Sequence, residues 1–232
     1  MRLTIVGDGR MGRAVAQLAE EQGHVVHALV GHRENPGGAA LTRERLAGTE
    51  AAIEFTRPDA VVANLERLIE AGVPTVTGTT GWSADLPRIA RAVESRRGAL
   101  LHAANFSIGV HLFLRSARDL ARHLAGRPEF DAFILEEHHA AKVDAPSGTA
   151  IALRARVRDA DAANEFPITS IRAGSIPGTH VLTYDSPYET IALSHVARSR
   201  RGFAAGALAA AVWLPGRTGV YDFEAMLFGG GG

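Results

Sequence analysis

The stretch Leu3-Thr-Ile-Val-Gly7-Asp-Gly9-Arg-Met-Gly12 decides the fold of the first part of the chain. It begins as a β-rich run and is followed by residues 13–21, whose apolar side chains recur at helical spacing. In this order of strand, glycine turn and helix, Gly-x-Gly-x-x-Gly is typical of dinucleotide binding. We expect Gly7 to permit the tight turn, Gly9 to let the backbone approach a pyrophosphate, and Gly12 to let helix and strand pack closely. A plain turn between strand and helix is the alternative interpretation.

The alternation of strand and helix continues along the N-terminal half. Strands are predicted at residues 24–30, 51–55, 73–77 and 99–102, helices at 59–71 and 84–96, and an irregular segment or short helix at 39–49. This alternation predicts a parallel, doubly wound α/β sheet. The loop Gly78-Thr-Thr80 follows the fourth strand and can approach a nicotinamide ring there, although an ordinary polar turn has the same composition.

The end of the second strand bears on the choice of cofactor. An enzyme strict for NAD usually places Asp or Glu there to hold the ribose 2′-hydroxyl. Val30 and Gly31 occupy that place, and His32 and Arg33 follow. This sequence favours tolerance of, or preference for, the 2′-phosphate of NADP. Glu34 can still reach the ribose, and Arg33 as a solvated loop cation is the other interpretation.

A second stretch, Glu136-Glu-His-His-Ala-Ala-Lys-Val-Asp-Ala-Pro-Ser-Gly-Thr-Ala150, carries the chemistry. It follows an apolar run at residues 130–135, which predicts a strand, and precedes a helix predicted at 150–157. The free N–H groups at the start of that helix, with the Ser147 and Thr149 hydroxyls, form a site for a carboxylate or phosphate. An anion site beside proton donors is what an enzyme needs to hold and protonate an acidic small molecule.

The proton donors of this stretch are two histidines and a lysine. Lys142 adds positive charge, and His138 and His139 exchange protons near neutral pH. Neighbouring strand residues point in opposite directions, so the two histidines need not share one task. Glu136 and Glu137 either orient the histidines or lie in water. Because the chain has no cysteine and no His-x-x-x-His spacing, we predict no metal site.

The composition excludes several classes of protein. The 232 residues include 25 acidic and 25 basic side chains, so there is no electrostatic case for nucleic acid or an anionic membrane. Zero cysteines exclude disulfides and a thiolate nucleophile. No apolar run reaches the roughly 20 residues of a membrane span, and the first residues enter a strand rather than a signal peptide. We expect a soluble, cytoplasmic protein.

The pattern changes in the C-terminal half. A helix at 108–124 marks the crossing into a second domain, and strands are predicted at 168–172, 179–184 and 189–196. Strands joined by short turns predict an antiparallel or mixed sheet, covered on one face by the two long helices. A helix at 201–213, a short closing element at 219–227 and a frayed glycine tail at 229–232 are expected to follow. Asp144 is predicted to fix its loop or to cap a helix rather than to act as a general base. Candidates for a second carboxylate contact are Arg172, Arg198, Arg200 and Arg201, and solvated side chains are the other interpretation.

Together these residues resemble the 4-hydroxy-tetrahydrodipicolinate reductase (dihydrodipicolinate reductase) family of the diaminopimelate route to lysine. The family signature is His-His, two variable residues and Lys-x-Asp-Ala-Pro-Ser-Gly-Thr-Ala, which stands here from His138 to Ala150. The resemblance covers almost the whole chain. Further matching segments are the first glycine turn, Glu54-Phe-Thr, Gly78-Thr-Thr-Gly81, Ala104-Asn-Phe-Ser107, Ile171-Arg-Ala-Gly174 and residues 204–214.

The resemblance implies a role for each matched residue. It implies that His138 is the proton donor and acceptor and that Lys142 is a second proton donor. The implied substrate contacts are His139, Ser147, Gly148 and Thr149. The predicted cofactor contacts are Gly7, Asp8, Gly9, Arg10, Met11, Gly12, His32, Arg33, Gly78, Thr79, Thr80, Ala103, Ala104, Asn105 and Phe106.

The resemblance also implies the architecture and the reaction. We expect a Rossmann domain at residues 1–107 completed by 201–232, and a smaller α+β domain at 108–200 that binds substrate and forms a homotetramer through its open mixed sheet. The implied reaction is the NADH- or NADPH-dependent reduction of a small cyclic dicarboxylate, 4-hydroxy-tetrahydrodipicolinate, with loss of water. Ala140 and Ala141 depart from the bulkier or basic side chains of many relatives, so the substrate charge would be recognised with one cation less.

Two other classes stay open. Another two-domain dehydrogenase, acting on a semialdehyde or sugar, would share both domains but would not require Lys-x-Asp-Ala-Pro-Ser-Gly-Thr. A dinucleotide-sensing regulatory module would bind NAD(P) without any need for His138 or Lys142. Substrate-dependent oxidation of NAD(P)H distinguishes the reductase from the sensor.

Overall fold

The computed structural model describes residues 1–160 and 165–229, so residues 230–232 of the predicted tail lie outside the described part of the chain. The strands are β1 (Arg2–Val6), β2 (Val25–Val30), β3 (Ala51–Glu54), β4 (Thr75–Thr77), β5 (Ala99–His102), β6 (Asp131–His138), β7 (Ile168–Arg172), β8 (Thr179–Asp185), β9 (Thr190–Val196) and β10 (Gly219–Asp222). The α-helices are α1 (Arg10–Glu21), α2 (Val61–Glu70), α3 (Leu86–Ser95), α4 (Ile108–Leu124), α5 (Gly148–Arg158), α6 (Arg201–Trp213) and α7 (Phe223–Phe228). Two compact units contain them: Met1–Ser107 with the chain from Arg200 onward, and Ile108–Ser199.

The first unit is built on a six-stranded sheet in the order β10-β5-β4-β3-β1-β2, and every pairing is parallel. Helices cover both faces, since α1 and α6 pack on one side and α2 and α3 on the other. The central strands are therefore buried on both faces, which explains their continuous apolar sequence. The predicted doubly wound parallel sheet is confirmed.

The end of the chain differs from its prediction. Residues 219–227 were expected to form one short closing element, whereas the structure has a strand followed by a helix. Strand β10 joins the parallel sheet beside β5. Asp222 begins α7 because its carboxylate accepts a hydrogen bond from the backbone N–H of Ala225 at 2.6 Å. The apolar run is too short for its periodicity to separate these two elements.

The second unit contains a mixed four-stranded sheet in the order β7-β6-β8-β9, in which β6 is parallel to β7 and antiparallel to β8. Helices α4 and α5 pack on one face through a single apolar core. Strand β6 runs to His138, three residues beyond the predicted end at 135, because polar residues 136–138 stay paired with β7. The predicted mixed sheet, covered on one face by two helices, is confirmed. None of the described helices is long and apolar enough to cross a membrane.

Two glycines of α6 give a matched test of how closely this helix packs in the first unit. A methyl group on Gly206 would stand 1.8 Å from the Phe106 carbonyl oxygen, whereas one on Gly202 would meet nothing within 4 Å. We expect Gly206→Ala to lower the free energy of unfolding by about 3 kcal/mol through overpacking. Gly202→Ala should be neutral or stabilising by up to about 1 kcal/mol, because alanine favours helix. Urea unfolding measures both, and equal losses would contradict the proposed close contact.

Candidate active site

Strand β6 places the chemistry of the second unit on the helix-covered face of its sheet. Side chains alternate along a strand, so Glu136 and His138 share the face of the core residues Ala132 and Ile134. Both are buried, with exposed fractions of 0% for Glu136 and 8% for His138. Glu137 lies on the opposite face. Of the two neighbouring acids, the structure therefore brings Glu136 alone to His138.

The Glu136 carboxylate is the centre of a buried polar cluster. It accepts hydrogen bonds from Nδ1 of His138, from Nη2 of Arg172 at 2.6 Å and from the backbone N–H of Ser147 at 3.3 Å. Burial by itself would raise the pKa of Glu136, but the hydrogen bonds from Arg172, Ser170 and His138 outweigh it and lower the pKa to about 2. The carboxylate is ionised at neutral pH, so Nδ1 of His138 carries the proton that it accepts.

The second ring nitrogen of His138 faces a glycine. A Cβ atom on Gly178 would stand 3.0 Å from Nε2, and Gly178 has a φ of +148°, which side chains rarely adopt. Glycine therefore lets the backbone pass close to Nε2, where a side chain would press against the ring. Burial lowers the pKa of His138, and the hydrogen bond with Glu136 opposes that effect. A charged His138 is accordingly a stronger acid than a histidine in water.

His180 joins this cluster from β8, where the antiparallel register sets it opposite Glu136. Its ring centroid lies 5.1 Å from that of His138, and its Nε2 lies 2.9 Å from the Ser147 hydroxyl. Burial is the largest cause that lowers its pKa, to about 4, and the neighbouring His138 adds to it. His180 is not among the site residues predicted from the sequence. Only the pairing of β6 with β8, which a single sequence does not give, relates it to the signature.

The start of α5 has the predicted form of an anion site, with one difference. Ser147 is the N-cap, because its hydroxyl accepts from the N–H of Ala150 at 3.2 Å, and it is also engaged with His180. Gly148 is exposed and Thr149 half-buried. Of the predicted anion contacts, Gly148 and Thr149 are therefore open to solvent, while the Ser147 hydroxyl lies in the polar cluster.

Lys142 forms an ion pair with Asp144, two residues later in the same loop. The Lys142 Nζ donates to both carboxylate oxygens of Asp144, at 2.7 and 2.9 Å, as expected for an acid that fixes the loop. Arg172 donates to the Asp144 carbonyl at 2.6 Å and to Glu136, so this candidate for a second carboxylate contact is committed to the fold. His139, which follows His138 in the sequence, is half-buried.

Glu136, His138 and His180 offer ligand atoms within 4.8 Å of one another, the geometry of a possible metal group among the described residues. One contact opposes it. The guanidinium of Arg172 already neutralises Glu136. A cation would have to displace an arginine that is always charged. The absence of a metal stays a prediction.

The glycine turn of the first unit has the geometry that a dinucleotide requires. Gly7 has a φ of +110°, and a Cβ there would stand 2.1 Å from the Phe55 carbonyl oxygen. A Cβ on Gly12 would stand 1.8 Å from the Gly7 carbonyl oxygen, so helix and turn pack closely. Nothing lies within 4 Å of a Cβ on Gly9, where the backbone is open to a pyrophosphate. The residues present therefore fit the cofactor.

A cavity of about 380 Å³ lies beside this turn. Its walls are Gly9, Arg10, Met11, Phe55, Thr56, Pro58, Gly78, Thr79, Thr80 and Arg200. The structure thus brings together the glycine turn and the Gly78–Thr80 loop, both predicted to contact the cofactor. It adds the end of β3, which the sequence analysis noted only within the family resemblance. Phe106, another predicted contact, is buried against Phe55 and Phe223 and is a core residue by its side chain.

The loop after β2 shows how its charged residues are used. The Glu34 carboxylate accepts from the Gly31 N–H at 3.0 Å and from Arg45 at 2.9 Å. Both carboxylate oxygens of Glu34 therefore have partners within the protein. His32 and Arg33 are exposed.

This fold and these residues define an oxidoreductase built from a dinucleotide-type unit and a second α+β unit. Residues 1–106 match "Dihydrodipicolinate reductase, N-terminus", and residues 109–227 match "Dihydrodipicolinate reductase, C-terminus". The chain belongs to the dihydrodipicolinate reductase family, and the resemblance seen in the sequence is confirmed. Membership implies a nicotinamide cofactor.

Relatives of the chain match over almost their full length. The 4-hydroxy-tetrahydrodipicolinate reductase of Thiobacillus denitrificans is 37% identical over 98% of each chain, and that of Christiangramia forsetii is 32% identical over 98% of each. Dihydrodipicolinate reductase from Paenisporosarcina sp. TG-14, solved with dipicolinate bound, has the same fold. Its TM-score is 0.81 at 21% identity, over 98% of this chain and 99% of that one.

The buried histidine predicts how stability depends on pH. The folded pKa of His180, about 4, lies below its ordinary value of 6.5, so the unfolded chain binds the extra proton between these values. Stability is therefore lost as the pH falls through this window, by about 2 kcal/mol from His180 between pH 7.5 and 5. We expect His180→Gln to flatten the pH dependence of urea unfolding by about that amount. His123→Gln, at an exposed position of α4, is the control; identical slopes for both variants would contradict the assignment.

Proposed function

We propose that the chain is a 4-hydroxy-tetrahydrodipicolinate reductase, which reduces its substrate with NADPH or NADH and releases water, in lysine biosynthesis through diaminopimelate. The observation that carries this proposal is the Glu136–His138 pair at the end of β6, followed by Lys142 and the open start of α5. Together they supply a proton and a binding place for a small dicarboxylate. The family membership supports the same reaction.

His138 and Lys142 are the proposed catalytic residues. Glu136 holds Nδ1 of His138, so Nε2 is the atom that transfers the proton. The ionised Glu136 stabilises the imidazolium that forms when Nε2 is protonated. Lys142 turns from Asp144 to a substrate carboxylate and assists as a second proton donor. The remaining substrate contacts are proposed at His139, Ser147, Gly148 and Thr149.

The chemistry requires a hydride and a proton. When bound, the nicotinamide supplies the hydride to ring carbon C4 of the dehydrated substrate. The electron pair displaced by that addition leaves an enamine, which takes a proton at the adjacent carbon from Nε2 of His138. The residues of the first unit bind and orient the dinucleotide through the glycine turn and the Gly78–Thr80 loop. We propose this role for residues 1–107 with 201–232, and substrate binding for 108–200.

We propose that NADPH is accepted at least as well as NADH. Glu34, the one acid near the end of β2 that the sequence analysis considered for the ribose, has its carboxylate engaged with Gly31 and Arg45. Arg33 and His32 are exposed on the same loop. Arginine suits a phosphate, whereas a free carboxylate would repel the 2′-phosphate of NADP.

The open face of the second sheet supports a homotetramer. Helices α4 and α5 pack on the other face, so apolar side chains are exposed on this one. The exposed fractions are 41% for Phe133, 38% for Ile171 and 57% for Val196. An uncovered apolar sheet face is typical of a surface that another chain covers. The proposal agrees with the family resemblance, which implies assembly through this sheet.

The reaction is tested directly by mixing the protein with the condensation product of pyruvate and aspartate semialdehyde and with each cofactor separately. Loss of NADPH or NADH absorbance that depends on the condensation product is the expected result. Stoichiometric binding of either cofactor with no such oxidation would favour a sensing module instead. A higher rate with NADH than with NADPH at equal concentrations would contradict the proposal that NADPH is accepted at least as well.

We expect His138→Ala to lower kcat by about 10²–10⁴-fold, the usual contribution of a positioned acid. Binding of dipicolinate, a product-like dianion, should change by less than about threefold, because its carboxylates contact other groups. Steady-state kinetics and a dipicolinate titration measure the two effects. His123→Ala serves as the control. A kcat within about threefold of wild type would remove His138 from the mechanism.

A charge on the open sheet face tests the assembly. Phe133→Asp should convert the homotetramer to smaller species, because a carboxylate would be buried without a partner in the interface. Leu112→Asp, at a 50% exposed position on α4, is the matched control and should leave the assembly intact. Light scattering after size exclusion gives the mass. A monomeric wild-type protein would contradict the proposed homotetramer.

A further inference from the structure

Glu54 is a second buried carboxylic acid, and the mechanism above does not use it. It ends β3 with an exposed fraction of 0%. Its partners are neutral: the Thr56 hydroxyl donates to Oε1, Thr77 Oγ1 donates to Oε2 at 2.6 Å, and Asn64 Nδ2 lies 3.5 Å from Oε1. Within the described ranges no arginine, lysine or histidine forms an ion pair with it. A buried acid without a cation needs another explanation.

The hydrogen bonds around Glu54 close a ring. Thr77 Oγ1, which donates to Glu54, accepts from the Thr79 N–H at 3.3 Å. The Thr79 hydroxyl accepts from the Thr56 N–H at 2.8 Å, and the Thr56 hydroxyl returns to Glu54. Thr56 and Thr79 both line the cavity beside the glycine turn. Glu54 thus joins two separate walls of that cavity from beneath.

The segments that form the cavity walls are tightly packed against one another. A Cβ on Gly78 would stand 1.9 Å from the Phe55 ring, and a Cβ on Gly7 would stand 2.1 Å from the Phe55 carbonyl oxygen. The turn after β1, the end of β3 and the loop after β4 are therefore packed against one another at van der Waals distance. A change in the hydrogen-bonded ring would move a wall of the cavity rather than be absorbed by a gap.

We propose that Glu54 is a positioning residue for the nicotinamide cofactor: through Thr56 and Thr77 it fixes the loops that form the cavity and so sets cofactor affinity. The proposal rests on the proposed function, because it takes this cavity as part of the cofactor site. A carboxyl group suits the task since its two oxygens serve two hydroxyls at once. Burial raises its pKa, against the hydrogen bonds from the threonines.

Two threonines of β4 provide the matched test. Thr77 and Thr75 are both fully buried on the same face of the strand, but the Thr75 hydroxyl donates to the Val73 carbonyl at 2.9 Å and not to Glu54. Replacing either threonine by valine removes one buried hydroxyl group and keeps the shape of the side chain. We expect Thr77→Val to weaken NADPH binding by about tenfold or more, since it removes the hydrogen bond to Oε2 of Glu54 and the acceptor of the Thr79 N–H. Thr75→Val should change it by less than about twofold.

Substitutions of Glu54 test the carboxyl itself. Glu54→Leu should raise the KM for NADPH by about tenfold or more while lowering kcat by a smaller factor, and Glu54→Gln should recover most of the affinity, because an amide also pairs with both hydroxyls. Trp82 reports the loop, because its indole N–H donates to the Thr79 carbonyl at 2.8 Å. In a Trp213→Phe background it is the sole tryptophan of the chain. Its emission should shift to the red in Glu54→Leu and Thr77→Val, and not in Thr75→Val.

The outcomes are separable. Equal Kd values for Thr77→Val and Thr75→Val, or a Glu54→Gln variant as impaired as Glu54→Leu, would overturn the proposal. If Glu54→Leu does not fold, the threonine pair decides alone. Titrations of Trp82 with NADPH and NADH need no substrate, so they test Glu54 even where the reductase assay fails. A wild-type protein that binds neither cofactor would refute both this proposal and the proposed function.

Discussion

A single ionised carboxylate inside the second unit organises that unit and its chemistry. Glu136 has no exposed surface, and the groups that donate to it come from β6, from the end of β7 and from the turn before α5. Removing one partner from a buried ion pair costs about 3–5 kcal/mol, because it leaves an uncompensated charge. The contact that orients His138 is therefore also a contact that holds the strand ends and the helix together, so fold and chemistry depend on one residue.

The two buried carboxylic acids of the described chain show how surroundings decide function. Glu136 and Glu54 both end or nearly end a strand, and both are fully buried. Arg172 lies against the first and its pKa is lowered, whereas the partners of the second are hydroxyls and an amide and its pKa is raised. An ionised acid stabilises a neighbouring imidazolium, and a carboxyl group with two free oxygens connects two hydroxyl groups. Each suits the role proposed for it, Glu136 beside the proposed proton donor and Glu54 beside the site proposed for the cofactor.

What the sequence predicts well is what neighbouring residues determine. The glycine turn, the strand at 99–102 and the helices at 108–124 and 201–213 follow from local spacing, and the structure has them at the predicted positions. What it misses depends on register. His180 reaches Glu136 only because β8 pairs with β6, and Arg172 reaches it only because β7 does. Glu54 gives no signal of its own, since a strand-end acid has the same sequence whether it is buried or in water.

The balance of charge around His138 suits the acidic ligand that we propose for this site. Glu136 and Asp144 are compensated by Arg172 and Lys142, so the cluster is neutral while His138 and His180 are uncharged. A proton on His138 would add an excess positive charge in a buried place, in agreement with its lowered pKa. A dianionic ring of the proposed substrate class brings negative charge that favours this proton. In the proposed reaction His138 would then carry its proton most often when the molecule that needs the proton is bound.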